Sequence, residues 1–393
     1  MKPRGDLAPD VLGSKLQPSV RSAAAEEAPA QAGDDGRNID PSLGTLSGEA
    51  GRVPAPRSAG LRGSPTGPFS RHDMSPEPGA STTYYGVPAL KPPVWKVWIP
   101  TYFFVGGLAG GCLVLAASAQ LVGRRRLRPL VAPARLLGAA GLLTSAALLI
   151  VDLGRPARFL NMLRVFRPTS PMNMGTWILS GAGATATASV ALPWVGAPRL
   201  ADAAGAASGA FGLGLASYTA VLLANTAVPA WQHGARTLPP LFVASSAASA
   251  ASALDLLPSL GRPAVRALRV FGSAGRLAEL LAGAAYERSL SRAGSSVVRH
   301  IRSGGAGTLF RLSEVLTAAS LVGALSGKRR LSALLGLGGA LALRFAVTAA
   351  GRASALDPRA TFEPQRAGGQ EPVGAASTAG AHRAIGRSGP ATT

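Results

Sequence analysis

Val97-Trp-Ile-Pro-Thr-Tyr-Phe-Phe-Val-Gly-Gly-Leu-Ala-Gly-Gly-Cys-Leu-Val-Leu-Ala-Ala-Ser-Ala-Gln-Leu-Val122 contains no charged side chain. At a rise of 1.5 Å per residue, about 20 such residues cross the ~30 Å hydrocarbon core of a bilayer. The stretch therefore reads as a membrane-spanning helix, with Trp95, Trp98 and Tyr102 at headgroup level where amphipathic rings are favoured. Working outward, similar runs recur over 135–151, 172–195, 205–228, 238–257, 265–285, 307–325 and 331–350, separated by short arginine-bearing breaks. Ser170-Pro171 supplies an N-cap and a first-turn proline for the third run. The expectation is all-α: a polytopic membrane helix bundle of about eight transmembrane helices.

The sixth run is the least apolar. It carries Arg276 and Glu279, three apart and on one helix face, where they can neutralise one another inside a span. An amphipathic helix lying on the membrane surface is the other reading. Flanking the bundle, residues 1–90 are rich in Gly, Pro, Ser and Ala and read as a disordered extension without a signal-peptide h-region. Residues 357–393 read as a disordered tail, which leaves 91–356 as the transmembrane domain.

The whole chain has 393 residues, 47% hydrophobic and 15% charged, and its 40 Lys+Arg against 19 Asp+Glu give a formal charge of +21. Those arginines cluster in breaks between spans, where they meet anionic headgroups, so the excess predicts a lipid bilayer partner and no nucleic acid. They do not fix orientation, because Arg124, Arg125, Arg126 and Arg128 on one side balance Arg155, Arg158, Arg164 and Arg167 on the other. A single cysteine, Cys112, excludes disulfides and CxxC-type centres. The histidines, His72, His233, His300 and His382, fall in tails or loops. The chain is therefore expected to bind no haem, iron–sulfur cluster or metal.

Polar residues at membrane depth need partners, and they carry the functional reading. Asp152 closes the second run in Asp152-Leu-Gly-Arg-Pro-Ala-Arg-Phe159, and Arg155, three residues on, can pair with it. That pair is either structural or chemical. Phe159, Met162, Leu163 and Phe166 then recur at i, i+3, i+4 and i+7, the pattern of an interfacial amphipathic helix. Gly106-Gly107 and Gly110-Gly111 form overlapping GxxxG patterns, read as plain close packing of helices. Tyr218 and Asn225 lie seven apart on one face of the fourth run, with Trp231, Gln232 and His233 just beyond. Arg311 and Glu314 read as a local pair, with a proton path the other reading. Because successive spans alternate in direction, Tyr102, Asp152, Arg155, Arg158, Asn225, Trp231 and His233 share one membrane face.

These residues also carry a family resemblance. Tyr85-Gly-Val-Pro-Ala-Leu-Lys-Pro-Pro-Val-Trp95, with Pro100-Thr-Tyr-Phe-Phe-Val-Gly-Gly-Leu-Ala-Gly-Gly111, resembles the first helix of NrfD/PsrC-type polysulfide reductase membrane subunits. Asp152-Leu-Gly-Arg-Pro-Ala-Arg-Phe159, Ser170-Pro-Met172 through Trp177, Tyr218 to Leu223, Pro229-Ala-Trp231 and Leu238-Pro-Pro-Leu-Phe242 extend the likeness over residues 84–257. The resemblance implies an anchor that binds quinone or quinol (menaquinone or ubiquinone) as a diffusible substrate. It implies electron exchange with a ferredoxin-like iron–sulfur subunit, which in turn serves a molybdopterin or multihaem cytochrome catalytic subunit. On that reading Tyr102, Asp152, Arg155, Tyr218 and Asn225 hold the quinone. Asp152 and Arg155 act catalytically in the accompanying proton release or uptake. Arg158 and Arg164 form a docking patch for the partner, and the chain is a multi-pass protein of the cell inner membrane. The rival is an ion or small-anion transporter or channel, with Asp152, Glu279, Glu314 and the arginines along its path.

Overall fold

A computed structural model describes residues 39–40, 45–46, 88–122, 124–258 and 260–369. The disorder expected for residues 1–90 and for 370–393 lies, apart from these, outside the described residues. Within the unit Met1–Met74, β1 (Ile39–Asp40) and β2 (Thr45–Leu46) form a two-residue antiparallel ladder with Ile39 opposite Leu46. Everything else described belongs to the unit Ser75–Thr393, and it is helical.

In chain order the helices are α1 (Trp98–Leu121), α2 (Arg124–Leu153), α3 (Pro156–Leu163), α4 (Pro171–Ala191), α5 (Pro198–Ala224) and α6 (Pro229–Gln232). They continue as α7 (Leu238–Asp255), α8 (Arg262–Ala293), α9 (Ser295–Arg302), α10 (Gly304–Leu325), α11 (Arg329–Leu356) and α12 (Pro358–Gly369). Local chemistry sets the boundaries. Ser170 accepts a hydrogen bond from the Asn173 N–H at 3.4 Å ahead of Pro171, as an N-cap should. Gly154, at φ 71°, ends α2 in a conformation that side chains with a Cβ resist.

Among the described residues, six helices are long and apolar enough to cross a membrane: α1, α2, α4, α5, α10 and α11. α1 sits at the centre, packed on α2, α5, α7 and α11. Its glycines work as expected. A Cβ on Gly110 would lie 2.7 Å from the Gly212 carbonyl of α5, and one on Gly111 would collide with the Ser246 carbonyl of α7. α2 and α4 are peripheral and turn Leu136, Leu143, Met172 and Trp177 outward, an arrangement suited to lipid and costly in water.

Six of the eight expected spans are apolar enough to cross on composition alone; α7 and α8 are less apolar. α7 lies buried among α1, α5, α8 and α11, where serine contacts protein instead of lipid. α8 buries Leu268, Gly272, Arg276, Glu279, Gly283 and Tyr286 against α7 and α10, so it is no isolated surface helix. Other expectations need correction. The second run is longer than its apolar core. α2 begins at Arg124 and buries Arg135, whose Nη2 lies 3.0 Å from Asp202 Oδ1 of α5 and donates to Gln120 Oε1 at 2.5 Å. The segment after residue 357 is not all tail: α12 packs on α9 and α11 with Ala360 fully buried. Finally, only Trp98 of the three expected interfacial rings is exposed; Trp95 and Tyr102 turn into the bundle.

Candidate functional site

The beginning of α1 meets the ends of α2, α5 and α11 at one end of the bundle. Arg352, near the end of α11, donates to the Trp95 carbonyl just ahead of α1. The Trp95 ring stacks on Trp231 of α6, with centroids 5.3 Å apart and planes 16° from parallel. Trp231 is fully buried, its indole N–H donating to the Val347 carbonyl at 2.8 Å. The Tyr286 hydroxyl of α8 donates to the Ala230 carbonyl at 3.1 Å. The short α6 turn is thus keyed into α8 and α11, and Trp231 lies at the end where α1 begins.

Tyr102 and Tyr218 come together here. They are 3% and 8% exposed and close enough to interact electrostatically. Room for the Tyr218 ring comes from Gly175 of α4, where a Cβ would fall inside the ring. Among the described residues neither phenol hydroxyl hydrogen-bonds to a protein group. The Thr219 hydroxyl, next in sequence to Tyr218, is buried without a partner, which is uncommon because such a group costs about 1–3 kcal/mol.

Asp152 lies half-buried in the last turn of α2, and the cation acting on it is Lys96 of the segment entering α1. The expected Asp152–Arg155 ion pair does not form. A three-residue spacing brings side chains together only on a continuous helix, and α2 stops at Leu153. Arg155 stands exposed in extended backbone, φ −133° and ψ 116°. Asn225 also departs from expectation: it sits at the C-cap of α5, exposed, with Nδ2 donating to the Val221 carbonyl of its own helix at 2.8 Å. Arg158 Nη1 donates to the Leu153 carbonyl at 2.9 Å, capping α2, and Arg164 is exposed.

α3 has the expected amphipathic spacing, and none of its residues is fully buried. What fixes it is a residue the sequence reading missed. Asn173 Nδ2 donates to the Met162 and Val165 carbonyls, each at 2.7 Å, while its Oδ1 accepts from the Arg167 N–H at 2.7 Å. The available signal was an Asn in the first turn after Ser170-Pro171, a position from which short amides reach back to loop backbone. Past α6, burial lowers the pKa of the half-buried His233, favouring its neutral form. Among the described residues no three His, Cys, Asp or Glu side chains converge as metal ligands would.

The segment holding these residues, 86–262, matches the family described as polysulphide reductase, NrfD. That segment belongs to the NrfD family. No curated protein matches the chain. The NrfD segment contains α1 to α7, and with them Tyr102, Asp152, Tyr218 and the arginines of α3. Nearly all of α8, and the whole of α10 and α11, lie beyond it. Family and apolar helices together make the chain a multi-pass membrane protein.

Proposed function

We propose that the chain is the inner-membrane subunit of a respiratory oxidoreductase complex and that it binds a quinol, menaquinol or ubiquinol, between Tyr102 and Tyr218. The observation that carries this reading is the pair of adjacent buried phenols with no protein hydrogen-bond partner. A quinone is a flat apolar ring with carbonyl acceptors on opposite edges, which suits two phenol donors in an apolar setting. α7 and α8 cross with the other six, making eight crossings. An even number returns the end of α11 to the start of α1, where Arg352 meets Trp95.

Oxidation of a quinol gives a quinone, two protons and two electrons. Asp152, half-buried at the same end as the phenols and balanced by Lys96, is placed to accept a proton on its way to water. Tyr102 and Tyr218 orient the ring and exclude water. Arg155, exposed, serves the surface beside Arg158 and Arg164, where α3 offers a docking face for a ferredoxin-like iron–sulfur subunit. That subunit passes electrons to a molybdopterin or multihaem cytochrome catalytic subunit, and the reverse direction uses the same groups.

The test has two arms. Binding of a quinone analogue to the purified chain should weaken in Tyr102→Phe and Tyr218→Phe and disappear in the double variant; undiminished binding by the double variant overturns the site. In the assembled complex, Asp152→Asn should slow quinol-dependent electron transfer, and unchanged turnover removes Asp152 from the reaction.

A further inference from the structure

Beyond the NrfD segment, the bundle buries ionisable groups for which quinol chemistry has no use. Arg276 and Glu279 of α8 and Arg344 of α11 are 0%, 5% and 2% exposed. Both guanidiniums are held by other groups. Arg276 donates from Nε to Ser320 Oγ at 2.6 Å and from Nη2 to Ser252 Oγ at 2.8 Å. Arg344 donates to the Phe242 carbonyl at 3.1 Å and lies 3.7 Å above the Phe242 ring centroid. Each acts on the charge of Glu279, yet neither forms an ion pair with it, and Glu279 Oε2 has no hydrogen-bond partner.

Glu279 faces a small pocket between α8 and α10. Ser313, Thr317 and Glu314 of α10 line it, with Phe310 and Leu241 closing it on apolar sides. Glu314 does not pair with Arg311, which instead approaches the Gly307 carbonyl of its own helix at 3.4 Å. It turns toward α8, its Oε1 lying 3.8 Å from the place a Cβ on Gly283 would occupy. Towards the end of α8, Glu314 feels the like charge of Glu287, a carboxylate that is itself paired to Arg302 at 2.6 Å. The pocket has space for about one water. A water there would meet Glu279 Oε2, the unpartnered Thr317 hydroxyl and Glu314, within the two to four polar partners a buried water requires.

We propose that Glu314 and Glu279, bridged by one water in this pocket, form a proton-transfer pair that loads a proton at mid-depth from the membrane face where α8 ends. Glu314 gives its carboxyl proton to the water as the water passes one of its own to the Glu279 carboxylate. The negative charge moves to Glu314, which, being only half-buried, recovers a proton from outside the bundle on the side where α8 ends. Four elements face Glu279: α8 itself through Arg276, α11 through Arg344, α10 through Glu314 and α7 through Ser245. The fixed positive charges of Arg276 and Arg344 lie beyond the acid and oppose onward passage, so the pair is a well open to one side. This inference does not rest on the quinol reading.

Infrared difference spectroscopy of the full chain in lipid nanodiscs, stepped between low and high pH in H₂O and D₂O, tests it. The wild-type chain should show a titrating carboxylic-acid carbonyl band that shifts promptly in D₂O and is missing from Glu279→Gln. In Glu314→Gln, at a half-exposed position that tolerates the change, the band should persist while its deuterium exchange slows roughly tenfold or more. A band that survives Glu279→Gln, or one that exchanges at an unchanged rate in Glu314→Gln, overturns the proposal. Quinone-analogue binding should be unaltered in Glu314→Gln, so the two sites fail or stand separately.

Discussion

The ring of Tyr218 on α5 occupies the volume that a Cβ at Gly175 on α4 would fill. α4 and α5 therefore meet as ring against bare backbone, and this contact orients one of the two phenols. Gly175→Ala should push the ring aside, costing about 1–3 kcal/mol as overpacking does. It should also weaken quinone-analogue binding, measured by titration of the purified chain. Gly183→Ala, on the same helix with nothing within 4 Å of the new methyl, should leave binding unchanged and raise stability by about 0.4–1 kcal/mol through helix propensity.

Ser320 is the hinge of the buried polar lattice. Its hydroxyl accepts from Arg276 Nε at 2.6 Å and donates to the Ser332 carbonyl at 2.6 Å, joining α8, α10 and α11. Ser320→Ala strands a guanidinium N–H in the protein interior, which should cost about 1–3 kcal/mol. Thermal unfolding in detergent should show that loss. Ser291→Ala, whose exposed hydroxyl bonds mainly to its own helix at Glu287, should shift the midpoint little.

What could be read from the chain follows from what each helix touches. α1, α2, α4, α5, α10 and α11 have faces suited to lipid, so their composition announces them. α7 is surrounded by other helices, and α8 keeps its charges on an internal face, so hydropathy understates both. Alternation of direction was enough to gather Tyr102, Asp152 and Trp231 at one end. Partners across helices were not legible, because helix rotation is set by packing. Lys96 beside Asp152, Trp95 on Trp231 and Glu314 facing Glu279 are all of this kind. The Asp152–Arg155 pairing failed for a local reason, a helix ending between the two residues.

Arg135 shows how a charge is tolerated near the opposite end. Its Nη2 has two acceptors, Gln120 Oε1 at 2.5 Å and Asp202 Oδ1 at 3.0 Å, and Nη1 reaches the Ser189 carbonyl at 3.4 Å. Either of the first two can serve if the other is removed. Asp202→Asn and Gln120→Ala should each cost about 1 kcal/mol, while the double variant should exceed their sum by roughly 0.5–3 kcal/mol. A double-mutant cycle on unfolding free energies measures the excess, and strict additivity would show that the two acceptors do not share this donor.

Asp357, just past α11, fastens α12 to the bundle. Its Oδ2 lies 2.9 Å from His300 Nε2 and 2.8 Å from Arg299 Nη2, and its Oδ1 accepts from the Arg359 N–H at 3.0 Å. Burial raises the pKa of this carboxyl, but the His300 contact, the Arg359 N–H and the Arg299 charge outweigh it and hold it below the ordinary value. A depressed folded pKa means stabilisation that is complete above the unfolded carboxylate value of about 4 and lost as pH falls through the folded one. Docking of α12 should therefore be insensitive to this acid at neutral pH and loosen below about pH 4. Hydrogen exchange of the α12 amides, corrected for the intrinsic pH dependence of exchange, reads this directly. Asp357→Asn should reduce their protection about twofold to fivefold at neutral pH and abolish the acid transition. An acid transition that persists in that variant would assign the fastening to another group.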